Sequence, residues 1–481
     1  MGLSFQEIQK DIVSHPDHSI IIHYSKEPVP QSTSDTVIWI FAGDYQRQLK
    51  SLTRNSVKWL QQLEKPVQAA AGPDILLHVF GRENPLPGNP LYGAPGGGGL
   101  FVTRKDAAFY CNSDFIALSY FFLSLENERQ VADRDQYSRF HKRYSVLGES
   151  VYHQPTVDRW TTLLKLMIKD LAVKRNIPIR FTPLWPNGRR FALVLTHDVD
   201  RLRSWTFSKM RRVFKEKQKQ RGLFSAGTTA LRLLRQNMLP RSYQGNFKFI
   251  CRLERKYGGS STFFFVGKSR TANDPGYQLG KKRIRRGIRA AVDTGSQIGL
   301  HGSFPSAVDG NFLQEEKEIL SSVASREIRG NRQHYLRFEG IPTLQAIEAA
   351  GLRYDSTLGF SDELGYRCGT GLPFRPVHPG EKKIFSYWEI PLILMDTVLL
   401  LESKLNLAAQ GAWEFVLQHL QEAAESGSCL TVNWHNNNLH TADYSGYTRL
   451  YENMLNWALE NNGWLCSADQ LWEWWEKRDP V

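Results

Sequence analysis

Residues 191–200, FALVLTHDVD, constrain the fold more than any other stretch of the chain. Phe191 to Leu195 is an apolar run without a polar break, and so short a run predicts a strand buried on both faces. It ends abruptly in Thr196, His197, Asp198, Val199 and Asp200. Two carboxylates, an imidazole and a hydroxyl at a buried strand end are costly to desolvate unless something pairs with them. In α/β folds the carboxyl ends of parallel strands carry the active sites. Extended-chain alternation puts Asp198 and Asp200 on one face and His197 and Val199 on the other. The simpler alternative is an acidic strand end that caps the next helix. Repetition of the pattern further along the chain weighs against it.

Strands and helices alternate after this point. STFFFV at 261–266, QIGLH at 297–301 and CLTVNWH at 429–435 read as strands. Residues 284–294, 311–325, 342–350 and 413–426 read as helices, and a last strand–helix pair spans 463–476. Polar residues of catalytic type recur at the strand ends: Asp198 and Asp200, His301, Arg332 and His334, Asp355, His435. The pattern predicts an α/β fold, a parallel sheet or barrel that gathers these ends on one rim. Asp with His is a ligand set for zinc or a similar divalent ion. A second carboxylate can act as base toward water, a separate His as general acid, and Arg332 can hold a carboxylate by a charge-assisted bond.

At 481 residues the chain is long enough for two domains. Residues 1–180 read as a smaller α/β domain, with strands at 20–24 and 36–42 and helices at 114–125 and 156–174. Pro178, Pro183 and Pro186 mark the boundary, and the second domain runs over 190–475. The glycine run at 96–99 lacks the Lys-Ser/Thr of a phosphate loop and reads as a turn. No stretch of about 18 apolar residues is present, and the first residues lack the basic-then-apolar pattern of a secretory leader. The five cysteines are scattered and odd in number, which suits free thiols in a reducing compartment. A cytoplasmic location, extending to the inner face of the membrane, is expected.

The net charge of +13 is unevenly spread. Residues 201–256 hold 16 Lys or Arg and only two acids, Glu216 and Glu254, and read as a basic helical insertion. A second cluster follows at 281–289. Such surfaces attract polyanions, so a phosphate-linked sugar or an anionic membrane surface is an expected partner. The alternative is a solvated helical surface. No nucleic-acid reading module is present, so nucleic acid is not the expected partner.

Taken in order, the motifs resemble those of the NodB-type polysaccharide deacetylases, a carbohydrate esterase group of metal-dependent de-N-acetylases. Thr196-His197-Asp198-Val199-Asp200 resembles the group's TFDD with one residue inserted before the last acid. His301-Gly302-Ser303-Phe304-Pro305 resembles HS/TxxH, and Arg332-Gln333-His334-Tyr335 resembles RxPY. Tyr354-Asp355-Ser356 resembles a YDSS-like stretch, and Leu430 to His435 the closing strand with its histidine. Residues 1–180 resemble the accessory domain that precedes this domain in an uncharacterised bacterial branch.

The resemblance implies a distorted (β/α) barrel of about seven strands that hydrolyses an N-acetyl or similar acyl group on a sugar. It maps the base to Asp198 and the metal-binding acid to Asp200, with the inserted residue leaving the two roles exchangeable. His301 maps to a metal histidine, Arg332 to the residue orienting the base, and His435 to the general acid, with Asp355 in the catalytic set. Pro305 stands where the group has its second metal histidine. His334 is the replacement expected, and His197, pointing away, the weaker candidate. Tyr335 and Trp434 are the expected sugar contacts, and zinc the expected metal. Two functions follow: a metal-dependent deacetylase in surface polysaccharide synthesis, or a catalytically weak carbohydrate-binding or assembly protein on the same fold.

Overall fold

The computed structural model describes residues 21–25, 37–41, 89–90, 102–105, 108–111, 115–145, 149–174, 176–179, 181–201, 214, 227, 242–381, 383–401, 404–439 and 446–478. The glycine run at 96–99 and nearly all of the basic insertion between 202 and 241 lie outside the described residues. Contacts divide the chain into two units: Met1–Ala132 with Lys142–Thr182 and Val481, and Asp133–His141 with Pro183–Pro480.

The first unit holds a five-stranded sheet of β1 (Ile21–Ser25), β2 (Val37–Phe41), β3 (Asn89–Pro90), β4 (Val102–Lys105) and β5 (Ala108–Cys111), in the order β1-β2-β5-β4-β3. β1, β2 and β5 run parallel, while β4 pairs antiparallel with both β3 and β5. Helix α1 (Phe115–Leu123) and helix α2 (Thr156–Lys174) follow. α2 buries Trp160, Leu163, Leu164, Met167 and Leu171, the three- and four-residue spacing of one helix face.

The second unit is built on β6 (Phe191–Asp198), β7 (Thr262–Val266), β8 (Gln297–Gly302), β9 (Gly330–Gln333), β10 (Tyr354–Asp355), the hairpin β11 (Val377–His378) and β12 (Lys383–Ile384), β13 (Trp388–Glu389), β14 (Leu394–Met395), β15 (Cys429–Asn433) and β16 (Gly463–Ser467). Nine of these strands form one sheet in the order β13-β10-β9-β8-β7-β6-β15-β14, with β16 paired to β6. Every pairing in it is parallel. The path stays open between β13 and β14, a half-barrel rather than a closed one. β10, β13 and β14 are only two residues long each, too short for a periodic pattern to fix their number in advance.

The helices between them are α3 (Ser242–Lys256), α4 (Lys282–Asp293), α5 (Gly310–Ala324), α6 (Ile341–Ala349), α7 (Asp396–Leu400), α8 (Ala409–Ser426), α9 (Tyr447–Glu460) and α10 (Ala468–Glu476). α9 was not anticipated from the sequence, although its buried Leu450, Tyr451, Met454, Leu455 and Ala458 have helical spacing. Among the described residues no helix is long and apolar enough to cross a membrane. All five cysteines are buried and none forms a disulfide.

Alternation along β6 sorts its side chains as expected. Ala192 and Val194 join Trp185, Phe264, Tyr354, Trp388 and Leu471 in one buried cluster on the inner face. Thr196 and Asp198 continue that face toward the strand's carboxyl end. α10 lies against this cluster, and its Asp469 is buried there, accepting bonds from Tyr354 Oη at 2.7 Å and Thr262 Oγ1 at 3.1 Å. Burial raises the Asp469 carboxyl to about 6. A carboxyl raised on folding contributes stability below about pH 4 that is lost as pH rises through about 6, with a ceiling of about 3 kcal/mol. Asp469→Asn keeps an acceptor for Tyr354 and removes the titration. Urea unfolding at pH 4 and pH 7 should therefore show a smaller pH dependence in the variant than in the wild type.

Candidate functional site

The site lies at the carboxyl ends of β6, β8, β9 and β15, where parallel strands leave their last side chains pointing off the inner face. Asp198 ends β6, Asp200 follows two residues later, and His301 lies near the end of β8. Arg332 is on β9, His334 immediately follows it, and His435 comes two residues after β15.

Asp200, His301 and His334 bring three donor atoms within 4.8 Å of one another. His301 Nε2 is 3.3 Å from Asp200 Oδ1, and His334 Nε2 is 3.7 Å from the same oxygen. Donors about 2.1 Å from a common tetrahedral ion stand about 3.4 Å apart, so these separations fit the edges of such a polyhedron. Asp200 Oδ1 is buried without a hydrogen-bond partner. His301 Nδ1 lies 2.7 Å from the carbonyl of Arg332, a bond that places the proton on Nδ1 and frees Nε2 as a donor atom. One carboxylate and two imidazoles suit a borderline divalent ion, and the residues present fit one.

Asp198 lies beside this triad but is held differently. Arg332 Nη1 donates to Asp198 Oδ1 at 2.9 Å, and Asn433 Nδ2 donates to Oδ2 at 2.7 Å. Asn433 Oδ1 in turn accepts from the Asp198 backbone N–H at 3.1 Å. Arg332 is fully buried, bonded also to Thr196 Oγ1, Ser356 O and Ser356 Oγ, with Phe264 under its guanidinium at 4.6 Å. Burial alone would raise the Asp198 carboxyl; the Arg332 charge, with His301 and His435, outweighs it and holds the group below its ordinary range. Asp200 is only partly buried, and the His301 and His435 rings hold it well below its range against that burial.

His435 closes the opposite side. Its Nε2 is 3.5 Å from Asp200 Oδ2, and its Nδ1 is 2.7 Å from Asp396 Oδ1. Asp396 also accepts from the His435 backbone N–H and from Asn438 Nδ2. Burial would lower the imidazole, but the Asp396 carboxylate raises it well above its ordinary value. His435 is thus a charged donor aimed at the site, and Asp198 a charged acceptor on the other side of the triad.

Six of the expected residues converge, and Asp355, Trp434 and Tyr335 lie outside that group. Asp355 is fully buried and bonds Asn331 Nδ2 at 2.7 Å and Thr357 N and Oγ1 at 2.9 and 3.0 Å, so it braces β9 from behind rather than facing substrate. Trp434 is fully buried with its ring 5.2 Å from Tyr451, because residue 434 alternates outward between Asn433 and His435. Tyr335 is half-buried, with Tyr137 stacked at 4.6 Å on one face of its ring and His334 tilted against it at 4.3 Å. His197 points away as expected, bonded to Glu254 Oε1 at 2.8 Å and the Trp434 carbonyl at 2.6 Å. Pro305 opens a 3-10 turn after β8.

Asp274, Asp396 and Asn433 were missed. Asp274 Oδ1 accepts from the Phe304 backbone N–H at 2.6 Å and lies 3.7 Å from His334 Nδ1. Asn433 shares the inner face with Thr196, its register partner, and Asp396 directly follows β14. Both positions carry the strand-end signal that marked the others.

His301→Ala removes one of three donors of the triad. Metal content of the purified protein, read by mass spectrometry, should fall to less than about a tenth of the wild-type value.

Residues 2–172 match a family of unknown function, DUF7033. No curated protein matches the chain. The chain is similar to polysaccharide deacetylases. A protein from Pseudomonas aeruginosa PAO1 assigned to them shares 16% identity at a TM-score of 0.42, over 64% of this chain and 98% of its own. A second, from Mycobacterium smegmatis, shares 17% identity at a TM-score of 0.41, over 61% and 93%. The allantoinase Puue shares 15% identity at a TM-score of 0.42, over 63% and 96%.

Proposed function

We propose that the second unit is a divalent-metal-dependent hydrolase that removes an N-acetyl or similar acyl group from a sugar or glycan intermediate. The observation that carries this reading is the arrangement of three kinds of group on one rim. An Asp-His-His triad is flanked by a carboxylate locked to Arg332 and by a histidine locked to Asp396. Asp200, His301 and His334 would hold the ion, and zinc matches the donor set. Bound there, it supplies Lewis-acid polarisation of a carbonyl and of water. Asp198 takes the proton of the attacking water as the oxygen–carbon bond forms. Arg332 fixes the carboxylate's direction and keeps it ionised. His435 gives its proton to the amide nitrogen as the carbon–nitrogen bond breaks, and Asp396 holds the ring for that transfer. Acetate and a free amine result. Acetate release from an N-acetylated sugar oligomer tests the proposal: activity should vanish on chelation and return with zinc. Zinc uptake without turnover on acylated sugars would contradict it and favour a sugar-binding protein instead.

The cationic surface supports a second proposal, that the substrate is met at an anionic membrane surface in surface polysaccharide synthesis. α3 exposes Lys248, Arg252 and Arg255, and α4 exposes Lys282, Arg285, Arg286 and Arg289. The two helices pack closely, with Phe247 of α3 lying against Gly287 of α4, where an added Cβ would stand 3.2 Å from the ring. Each basic residue near an anionic leaflet is worth about 1 kcal/mol, and salt screens it. Reversing Arg285, Arg286 and Arg289 to Glu should cut sedimentation with phosphatidylglycerol vesicles at low salt while deacetylation of a short neutral sugar stays unchanged. Equal loss on both, or on neither, would make the face a solvated surface. The corresponding cluster at Arg211, Arg212, Lys215, Lys217 and Lys219 lies outside the described residues.

A further inference from the structure

We infer that Asp133–His141 is a built part of the metal site, positioning the ligand His334; this rests on the metal reading of the triad proposed above. The segment belongs with the second unit although the residues on both sides of it in sequence belong with the first. Tyr335 and Leu336, directly after His334, have φ of 64° and 54°. Two consecutive non-glycine residues in the left-handed region are strained, and such a turn persists only where its surroundings hold it.

The segment supplies that hold. Tyr137 lies flat on Tyr335, with centroids 4.6 Å apart and planes 9° from parallel. Tyr335 in turn packs on the His334 ring. The Arg139 guanidinium covers Tyr137 at 4.8 Å, and its Nη1 donates to the Tyr335 carbonyl at 3.4 Å. Arg139, Tyr137, Tyr335 and His334 thus form one column that ends on a metal-donor ring. Asp135 fixes the near end of this column, accepting from the backbone N–H groups of Tyr137 and Arg139, each at 2.9 Å, and from Arg139 Nε at 2.8 Å. His141 ties the segment to the unit, 3.0 Å from Asp135 Oδ2 and 2.6 Å from Asp362 Oδ2. Among the described residues the His334 Nδ1 is buried without a hydrogen-bond partner, with Asp274 3.7 Å away and the His301 ring edge-on at 5.0 Å. The ring's position therefore depends on stacking. Groups that orient ligands in this way typically control metal affinity by about 10- to 100-fold.

The test uses the full chain and zinc affinity, measured by competition with a chromophoric chelator, alongside the absorption bands of the cobalt-substituted protein. Tyr137→Leu keeps bulk but loses the stack, and should weaken zinc about 10-fold or more and shift the cobalt bands. Tyr137→Phe keeps the stack and should match the wild type in both. Arg139→Ala should fall between them and serves as the second variant if Tyr137→Leu fails to fold. A Tyr137→Leu protein with lowered thermal stability but unchanged zinc affinity and cobalt spectrum would overturn the inference, since a purely structural role moves only the first. Unchanged zinc affinity in His334→Ala would overturn the ligand assignment beneath it. A wild-type chain that takes up no zinc would overturn both readings.

Discussion

Asp198→Asn is expected to abolish hydrolysis while leaving the metal site intact. The substitution keeps the side chain's shape and leaves an amide oxygen that can still accept from Arg332 Nη1, now 2.9 Å from Oδ1. What it removes is basicity at a carboxylate that stands beside the donor triad and is not part of it. General-base catalysis by a positioned group is worth about 10²- to 10⁴-fold, so kcat should fall by that amount. Zinc content should stay within error of the wild type. The inserted residue between Asp198 and Asp200 leaves a rival assignment, with the roles exchanged. In that case Asp198→Asn would lose the metal and Asp200→Asn would keep it, so paired metal analyses of the two variants decide between them.

Arg332→Lys is expected to damage both stability and activity, more than any other conservative change at the site. Arg332 is fully buried and spends its planar fork on four acceptors: Asp198 Oδ1, Thr196 Oγ1, Ser356 O and Ser356 Oγ. A lysine ammonium cannot present donors in that plane or lie flat on Phe264 as the guanidinium does at 4.6 Å. Asp198, Thr196 and Ser356 would keep their burial while a single ammonium leaves some of these acceptors without a donor. Breaking a buried pair from one side costs about 3–5 kcal/mol, which urea unfolding would read directly. Activity should fall as well, because the Asp198 carboxylate loses the guanidinium bond that sets its direction. Lowered stability with wild-type kcat in this variant would show that Arg332 is packing rather than chemistry.

The parts of this site that were legible in the sequence share one physical origin. A parallel strand buried on both faces must be apolar along its length, so the polar residues that end it stand out, and Asp198, Asp200, His301 and His435 were found that way. Alternation placed His197 outside correctly. The same alternation, applied to Asn433, Trp434 and His435, would have sent Trp434 into the core and Asn433 to the rim, where the structure has them. The surroundings of Tyr335 could not be read, because Tyr137, which stacks on its ring, is far from it in sequence. Asp274 was equally hidden: it sits in a loop after β7, and only the path of that loop brings it to His334. Asp355 ends a strand as the others do, yet its neighbours Asn331 and Thr357 take up its carboxylate before it reaches the rim.

Asp200, His301 and His334 are proposed to hold a divalent ion, with Pro305 where the resemblance places a second metal histidine. Anomalous scattering from a crystal of the zinc-loaded protein, collected on both sides of the zinc edge, tests it most directly. One strong peak is expected about 2.0–2.2 Å from Asp200 Oδ1, His301 Nε2 and His334 Nε2, with Asp198 outside the coordination sphere. A peak coordinated without His334, or no peak at this rim in zinc-loaded crystals, would contradict it.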